Sequence, residues 1–423
     1  MITQSITQLA VRSLTYLSLL VILPTFIPIT SAEQYANFVL LSTLVMLAPL
    51  FDGGQAMAMT RWLAVNPDHG QGGKQHQSAI VLALRGSLFW SLIISVSFMA
   101  IWLLYAGVDS AHGFSLSLVL VCMVTTAVTT VANTCNRLMF TGTFSSAKAA
   151  ALLAGPMLIA IVLAVLRYLQ INDILLIATA FGLGASLSIL LYAKVAGNQI
   201  ASTRDLFQQL IKKNEFVEDK KYRYGLFMSQ VISIFVVAKN PLLVRFLCGD
   251  SALVAFSLFS AANALIIAPA AAMQAPLLVS YSRQFGGKAG IPSCAFKTIA
   301  KHSLLSIFMG ASVAVVIWLL NISFHEHINK DTRLLTVDNF ALILGSASIY
   351  IGSIVMGVYF AAIGSAKLIN TTAVLVLVVD TLLIFLLGNE FEGMTPFITI
   401  AMANALIYAI LASRLVARFK FNE

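Results

Sequence analysis

The side chains in this 423-residue chain that could do chemistry are few. The ones that stand out are charges placed where charge is expensive. Asp52, Arg85, Lys239, Arg245 and Asp380 each lie inside a long apolar run. An ionisable group in such a run faces a partner or a polar cavity, because hydrocarbon cannot solvate it. Lys239 and Asp380 lie at similar depth, roughly 12 Å from one end of their runs at 1.5 Å per residue. That depth permits an ion pair between two helices. Alternatively, Lys239 faces an aqueous cavity and meets an anion, with Asp380 tuning it or carrying a proton. Arg85 and Arg245 lie nearer the ends of their runs, within snorkelling reach of an interface. Asp52 sits in the inner part of its run.

Signatures of enzyme chemistry are missing. No phosphate-binding GxxxxGK loop, dinucleotide GxGxxG turn, zinc-protease HExxH helix or GxSxG nucleophile elbow occurs. The histidines (His69, His76, His112, His302, His325 and His327) fall in polar segments or at run ends, and His325-Glu326-His327 reads as a solvated loop. Cys122, Cys135, Cys248 and Cys294 have no metal-site spacing and read as small packing residues. The expectation is a non-enzyme with no cofactor and no metal.

The elements that must hold these charges follow from composition. The chain is 59% hydrophobic and 10% charged, against about 45–50% and about 25% in soluble domains. Its mean hydropathy is +0.91. Soluble globular, disordered and disulfide-scaffold classes are excluded, leaving an all-α polytopic membrane protein. A span needs about 20 apolar residues, so about twelve transmembrane helices fit. Apolar runs lie near 7–29, 35–62, 78–106, 115–140, 148–167 and 173–196. After a polar stretch they resume near 226–247, 252–280, 293–321, 336–362, 367–388 and 394–418. The organisation is an N-terminal six-helix lobe over 1–197, a cytoplasmic amphipathic linker over 198–225 and a C-terminal six-helix lobe over 226–423. In the linker, Leu206, Leu210 and Ile211 recur at helical spacing.

The formal net charge of +9 is explained by topology. With both termini inside, the inner loops collect most of the Lys and Arg, while the outer loops hold Arg167, Lys330 and Arg333. That is the positive-inside pattern and predicts N-in/C-in. No nucleic-acid partner is needed. The halves also share landmarks: an acidic outer turn, an Ala-Pro pair in the following run (Ala48-Pro49, Ala268-Pro269) and a basic residue near its inner end (Arg61, Arg283). Paired repeats flanking a cavity are a common transporter plan.

The stretch from Ser31 to Ala64 resembles the opening of the polysaccharide-exporter branch of the MOP (multidrug/oligosaccharidyl-lipid/polysaccharide) superfamily. The residues that carry the resemblance are Glu33-Gln34-Tyr35-Ala36-Asn37-Phe38, then Asp52-Gly53-Gly54, then Arg61. The seventh run and its turn are similar to the family's second-half opening. There the family often has an acid followed by a basic residue, and this chain has Lys239-Asn240-Pro241. The resemblance implies a MATE-like fold of two six-helix lobes. Similarity to O-antigen flippases of the Wzx type implies transport of an undecaprenyl-pyrophosphate-linked oligosaccharide. Movement would run from the cytoplasmic to the periplasmic leaflet of a bacterial inner membrane by alternating access, in lipopolysaccharide or other polysaccharide biosynthesis. The implied partners are that lipid-linked oligosaccharide, the bilayer, and the polysaccharide polymerase and chain-length regulator. On this reading Lys239, Arg85 and Arg245 bind substrate, and Asp380 and Asp52 serve as ion-pair or coupling residues. The alternative is a cation-coupled multidrug exporter of the same fold, whose cavity would carry unpaired acids.

Overall fold

The computed structural model of the chain describes residues 51–65 (Gly53 apart), 74–106, 116–139, 145–195 (Asn172 apart), 220–285, 293–324, 337–364, 366–387 and 395–420, with Thr7, Ala10 and Val11. The first expected span, most of the second, the Ala48-Pro49 pair and nearly all of the linker lie outside these residues.

The described elements are helices, in the places where the apolar runs predict them. They are α1 (Gln55–Val65), α2 (Lys74–Ala106), α3 (Leu116–Leu138), α4 (Ser146–Tyr168) and α5 (Ile174–Val195). The second half holds α6 (Lys220–Phe285), α7 (Ser293–Phe324), α8 (Val337–Ala362), α9 (Ala366–Leu387) and α10 (Thr395–Lys420). The helix α6 is two spans joined end to end. Gly249 breaks it with φ 85° and ψ −179°, a conformation that costs glycine little and other residues much. The sequence places a turn at this point. Eight described helical segments are long and apolar enough to cross a membrane, and the chain is a multi-pass membrane protein.

The outward faces are greasy. Leu88, Phe89, Leu92 and Val96 on α2 are exposed, as are Leu304, Phe308 and Leu319 on α7 and Leu382 and Phe385 on α9. Such a surface is stable against lipid tails and would be a liability in water. The inward faces are small and hydroxylated. Ser87, Ser91 and Ser95 recur every fourth residue on α2, as do Thr126, Thr130 and Thr134 on α3, and all are buried. The Ser87 and Thr134 hydroxyls meet at 2.7 Å. Each threonine hydroxyl also donates to the carbonyl one turn back, as Thr126 does to Cys122 at 2.7 Å. The hydroxyls of Ser87, Ser91, Thr126, Thr130 and Thr134 are therefore satisfied within the bundle, and these small side chains let the helices approach closely. The α4–α5 crossing uses glycine for the same purpose. A Cβ on Gly155 would stand 2.5 Å from the Gly184 carbonyl oxygen, and one on Gly184 would stand 2.8 Å from that of Gly155.

One core cluster, built on Met59, Ile80, Leu138, Leu152 and Tyr192, holds the first half together. Another, built on Leu277, Tyr281, Phe285, Ile299, Val355 and Tyr359, holds the second. The halves meet where α1 packs on α6. Met57 of α1 touches the second-half cluster, and Ala275 of α6 touches the first.

Candidate functional site

A cavity of about 270 Å³ lies where α1 and α3 of the first half face α6, α8, α9 and α10 of the second. Met57 and Arg137 are its described lining residues from the first half. The second half contributes polar but uncharged side chains: Ser229, Gln230 and Gln274 from α6, Ser353 from α8, Thr372 from α9 and Asn404 from α10. A small annex of about 20 Å³ shares Met57, Arg137 and Gln274 and adds Thr60. Among the described residues that line this space, Arg137 is the one charged side chain and none is a carboxylate.

Sequence reasoning missed Arg137. It occupies the last turn of α3, where a basic residue reads as an interface anchor. Its tertiary position turns it into the cavity's cation instead. Gln230 and Gln274 were legible as costly polar groups inside apolar runs. Asn404 and Ser353 were not distinguishable from ordinary helix-packing residues.

Lys239 and Asp380 do pair. The Lys239 ammonium donates to an Asp380 carboxylate oxygen at 2.5 Å and to Asn240 Oδ1 at 3.1 Å. The lysine side chain is 16% exposed and the aspartate 0%. The pair lies beyond the cavity wall rather than in it. Val236 and Val376 line the cavity, and the two charged residues follow them by about one helical turn on α6 and α9, roughly 5 Å further along. Val236 and Val376 also pack together with Ala403 and Ile407, which places the ion pair next to a closed apolar seam.

Two expected substrate cations stand elsewhere. Arg85 is exposed on α2, on the same face as Leu88, Phe89 and Leu92. Arg245 is half-buried on α6. Neither is among the residues that line the cavity. Depth along a helix is readable from sequence, but rotation about its axis among many apolar neighbours is not.

Asp52 has a structural occupation. It is 2% exposed, and its carboxylate accepts the Gly54 N–H at 3.0 Å and the Ala56 N–H at 2.9 Å. It is the cap of α1, matching an anion to the unpaired amides at a helix start. The Gly54 N–H is shared with Gln230 Oε1 of α6. Gly54 itself has φ +77°, and a Cβ there would come within 2.8 Å of the Leu226 Cβ. Both constraints call for glycine.

No protein-family model matches the chain, and no curated protein does. Solved structures match along nearly its whole length. A multidrug resistance MATE family transporter of the MOP superfamily, in its outward-facing conformation, superposes with a TM-score of 0.69 at 12% identity, covering 98% of this chain and 95% of that one. The fold is that of the MATE transporters. A MOP superfamily transporter from Pyrococcus furiosus, whose structure is described as showing a binding pocket of reverse polarity that suggests a different function, superposes with a TM-score of 0.66 at 12% identity, covering 99% of this chain and 95% of that one. An inward-facing MATE family transporter superposes with a TM-score of 0.58 at 12% identity, covering 99% and 96%. The all-helical, MATE-like fold read from the sequence is therefore the fold of this chain.

Proposed function

We propose that this protein is a transporter, not an enzyme, and that it moves an amphiphile with an anionic, polyhydroxylated head across the membrane. The chemistry fits a lipid-linked oligosaccharide such as an undecaprenyl-pyrophosphate-linked repeat unit. The observation that carries the proposal is the polarity of the cavity's described lining: an arginine among uncharged amides and hydroxyls, with no acid among those residues. An organic cation would find no countercharge among those described residues. A phosphate would find Arg137, whose planar guanidinium can hold two oxygens at once. The sugar hydroxyls would find Gln230, Ser353, Thr372 and Asn404. A charged head cannot enter hydrocarbon alone, where an unpaired charge costs many kcal/mol. The polyprenyl tail can stay in lipid. On this proposal Arg137 replaces Lys239, Arg85 and Arg245 as the principal substrate cation. The outward direction, from the cytoplasmic to the periplasmic leaflet of a bacterial inner membrane, is taken from the resemblance to the polysaccharide exporters.

The test is a gene deletion in the host, complemented with parent or Arg137→Ala protein. The expected result is an undecaprenyl-linked oligosaccharide held on the cytoplasmic leaflet and loss of surface polysaccharide. Parent protein restores export, Arg137→Ala does not, and Arg137→Lys restores it in part. A normal lipid-linked pool with new sensitivity to cationic drugs would refute the proposal in favour of multidrug export.

A further inference from the structure

The floor of the cavity is tied across the two halves by a group of contacts that the cargo does not explain. At its centre is Arg61, near the end of α1. Its Nε–H donates to the Ala362 carbonyl at 3.0 Å, in the last turn of α8. Its guanidinium lies 4.6 Å from the centre of the Tyr222 ring at the start of α6. Tyr222 in turn donates its hydroxyl to the Ala361 carbonyl at 2.6 Å. The end of α8 thus has two of its terminal carbonyls taken by side chains from two other helices, one of them cationic. Cations are favoured there by the helix dipole. The chain then turns at Gly364, with φ +81°, and a Cβ on that residue would stand 2.8 Å from Arg61 Nη2.

The neighbouring contacts reinforce this join. Gly54 abuts Leu226 and donates to Gln230. Trp90 of α2 meets Phe227 of α6 with ring centroids 4.2 Å apart. Leu226, Gln230 and Ala361 also line the cavity, so the tie forms its floor.

We infer that Arg61, Tyr222 and the Gly364 turn form a latch that shuts one mouth of the cavity, and that releasing Arg61 from the end of α8 is a required step in opening it. On the charge distribution of the loops this is the cytoplasmic mouth. The latch suits its task because its bonds are few and polar. They break as a unit when the halves rock apart, and the freed Arg61 and Tyr222 hydroxyl can meet water at the interface. Buried apolar packing would have no such alternative. The latch acts for any cargo, so its test is independent of the substrate.

The test uses the full chain in oriented membrane vesicles, with Cys122, Cys135, Cys248 and Cys294 changed to Ala and a reporter Ala373→Cys in the cavity wall. A membrane-impermeant maleimide is added from each side. The parent should label from the side opposite Arg61. In Arg61→Ala and Gly364→Ala the rate from the Arg61 side should rise roughly tenfold or more. Arg61→Lys should fall between, since it keeps the charge and loses the flat stacking face. Tyr222→Phe, which removes one hydroxyl, reads the same latch where Arg61→Ala accumulates poorly. Unchanged sidedness and rate in Gly364→Ala and Tyr222→Phe, with protein present in the membrane, would overturn the latch.

Discussion

Replacing Lys239 by Met should damage this protein more than removing both members of its ion pair. The reason is the unequal burial of the partners. Asp380 is 0% exposed, and Lys239 is its cation at 2.5 Å. Without the lysine, a carboxylate stays buried with no countercharge, and breaking such a pair from one side costs about 3–5 kcal/mol. Asp380→Asn should cost less, about 1–3 kcal/mol. Lys239 is 16% exposed, keeps its bond to Asn240 Oδ1 and has some access to water. The double change Lys239→Met with Asp380→Leu removes both desolvation penalties and places apolar groups beside the Val236–Val376 seam. Such replacements are often neutral or stabilising, so the double variant should be more stable than Lys239→Met alone. The assay is thermal unfolding of purified protein in detergent. At about 2 °C per kcal/mol for a large chain, Lys239→Met should lower the midpoint by roughly 6–10 °C. The double variant should recover most of that loss and, on the proposed function, should still export its substrate, because the pair lies outside the cavity lining. A Lys239→Met midpoint close to the parent's would refute the reasoning. So would a double variant that loses the sum of the two single losses. A double variant that is stable but inactive would return Lys239 to the substrate path.

Three further outcomes are expected. Asp52→Ala removes the acceptor for the Gly54 and Ala56 amides and should cost about 0.5–2 kcal/mol, the range for a lost helix cap; Asp52→Ser should recover part of it in the same melting assay. Gly54→Ala meets both a positive φ and a 2.8 Å approach to Leu226, so its folded yield in membranes should fall further than that of Asp52→Ala, as quantitative blotting would show. Gln230→Ala and Asn404→Ala should leave the melting midpoint within a few degrees of the parent. On the proposed function, in which their amides meet sugar hydroxyls, they should reduce export of the lipid-linked oligosaccharide by several-fold each, as measured by surface polysaccharide.

Much of the architecture was legible without coordinates. The apolar run near 148–167 became α4 (Ser146–Tyr168), and that near 173–196 became α5 (Ile174–Val195). Runs of this length in a chain with 10% charge admit one low-energy outcome, helices that satisfy their own backbone in lipid. The turn expected at Gly249 is a break with φ 85°, because glycine beside an acid between two apolar runs marks a reversal locally. The pairing of Lys239 with Asp380 was also accessible, since two opposite charges at one depth in hydrocarbon have a strong reason to meet.

The functional roles divided differently. Arg85 and Arg137 look alike on paper, each a basic residue near the end of an apolar run. One is exposed beside Phe89, and the other lines the central cavity. The difference is the rotational setting of the two helices: α2 is too weakly amphipathic to record it, whereas on α3 the polar stripe of Thr126, Thr130 and Thr134 runs on to Arg137. Asp52 and Arg61 likewise carry charge legible as chemistry, yet one caps its own helix and the other closes the end of α8, some 300 residues away in sequence. By itself the sequence determined what must be helical and what must lie in lipid, because burial and backbone satisfaction act over one turn or one span. Which charges line the cavity, which face each other and which join the two halves was decided only when the helices packed, because those contacts link residues that the chain separates by up to hundreds of positions.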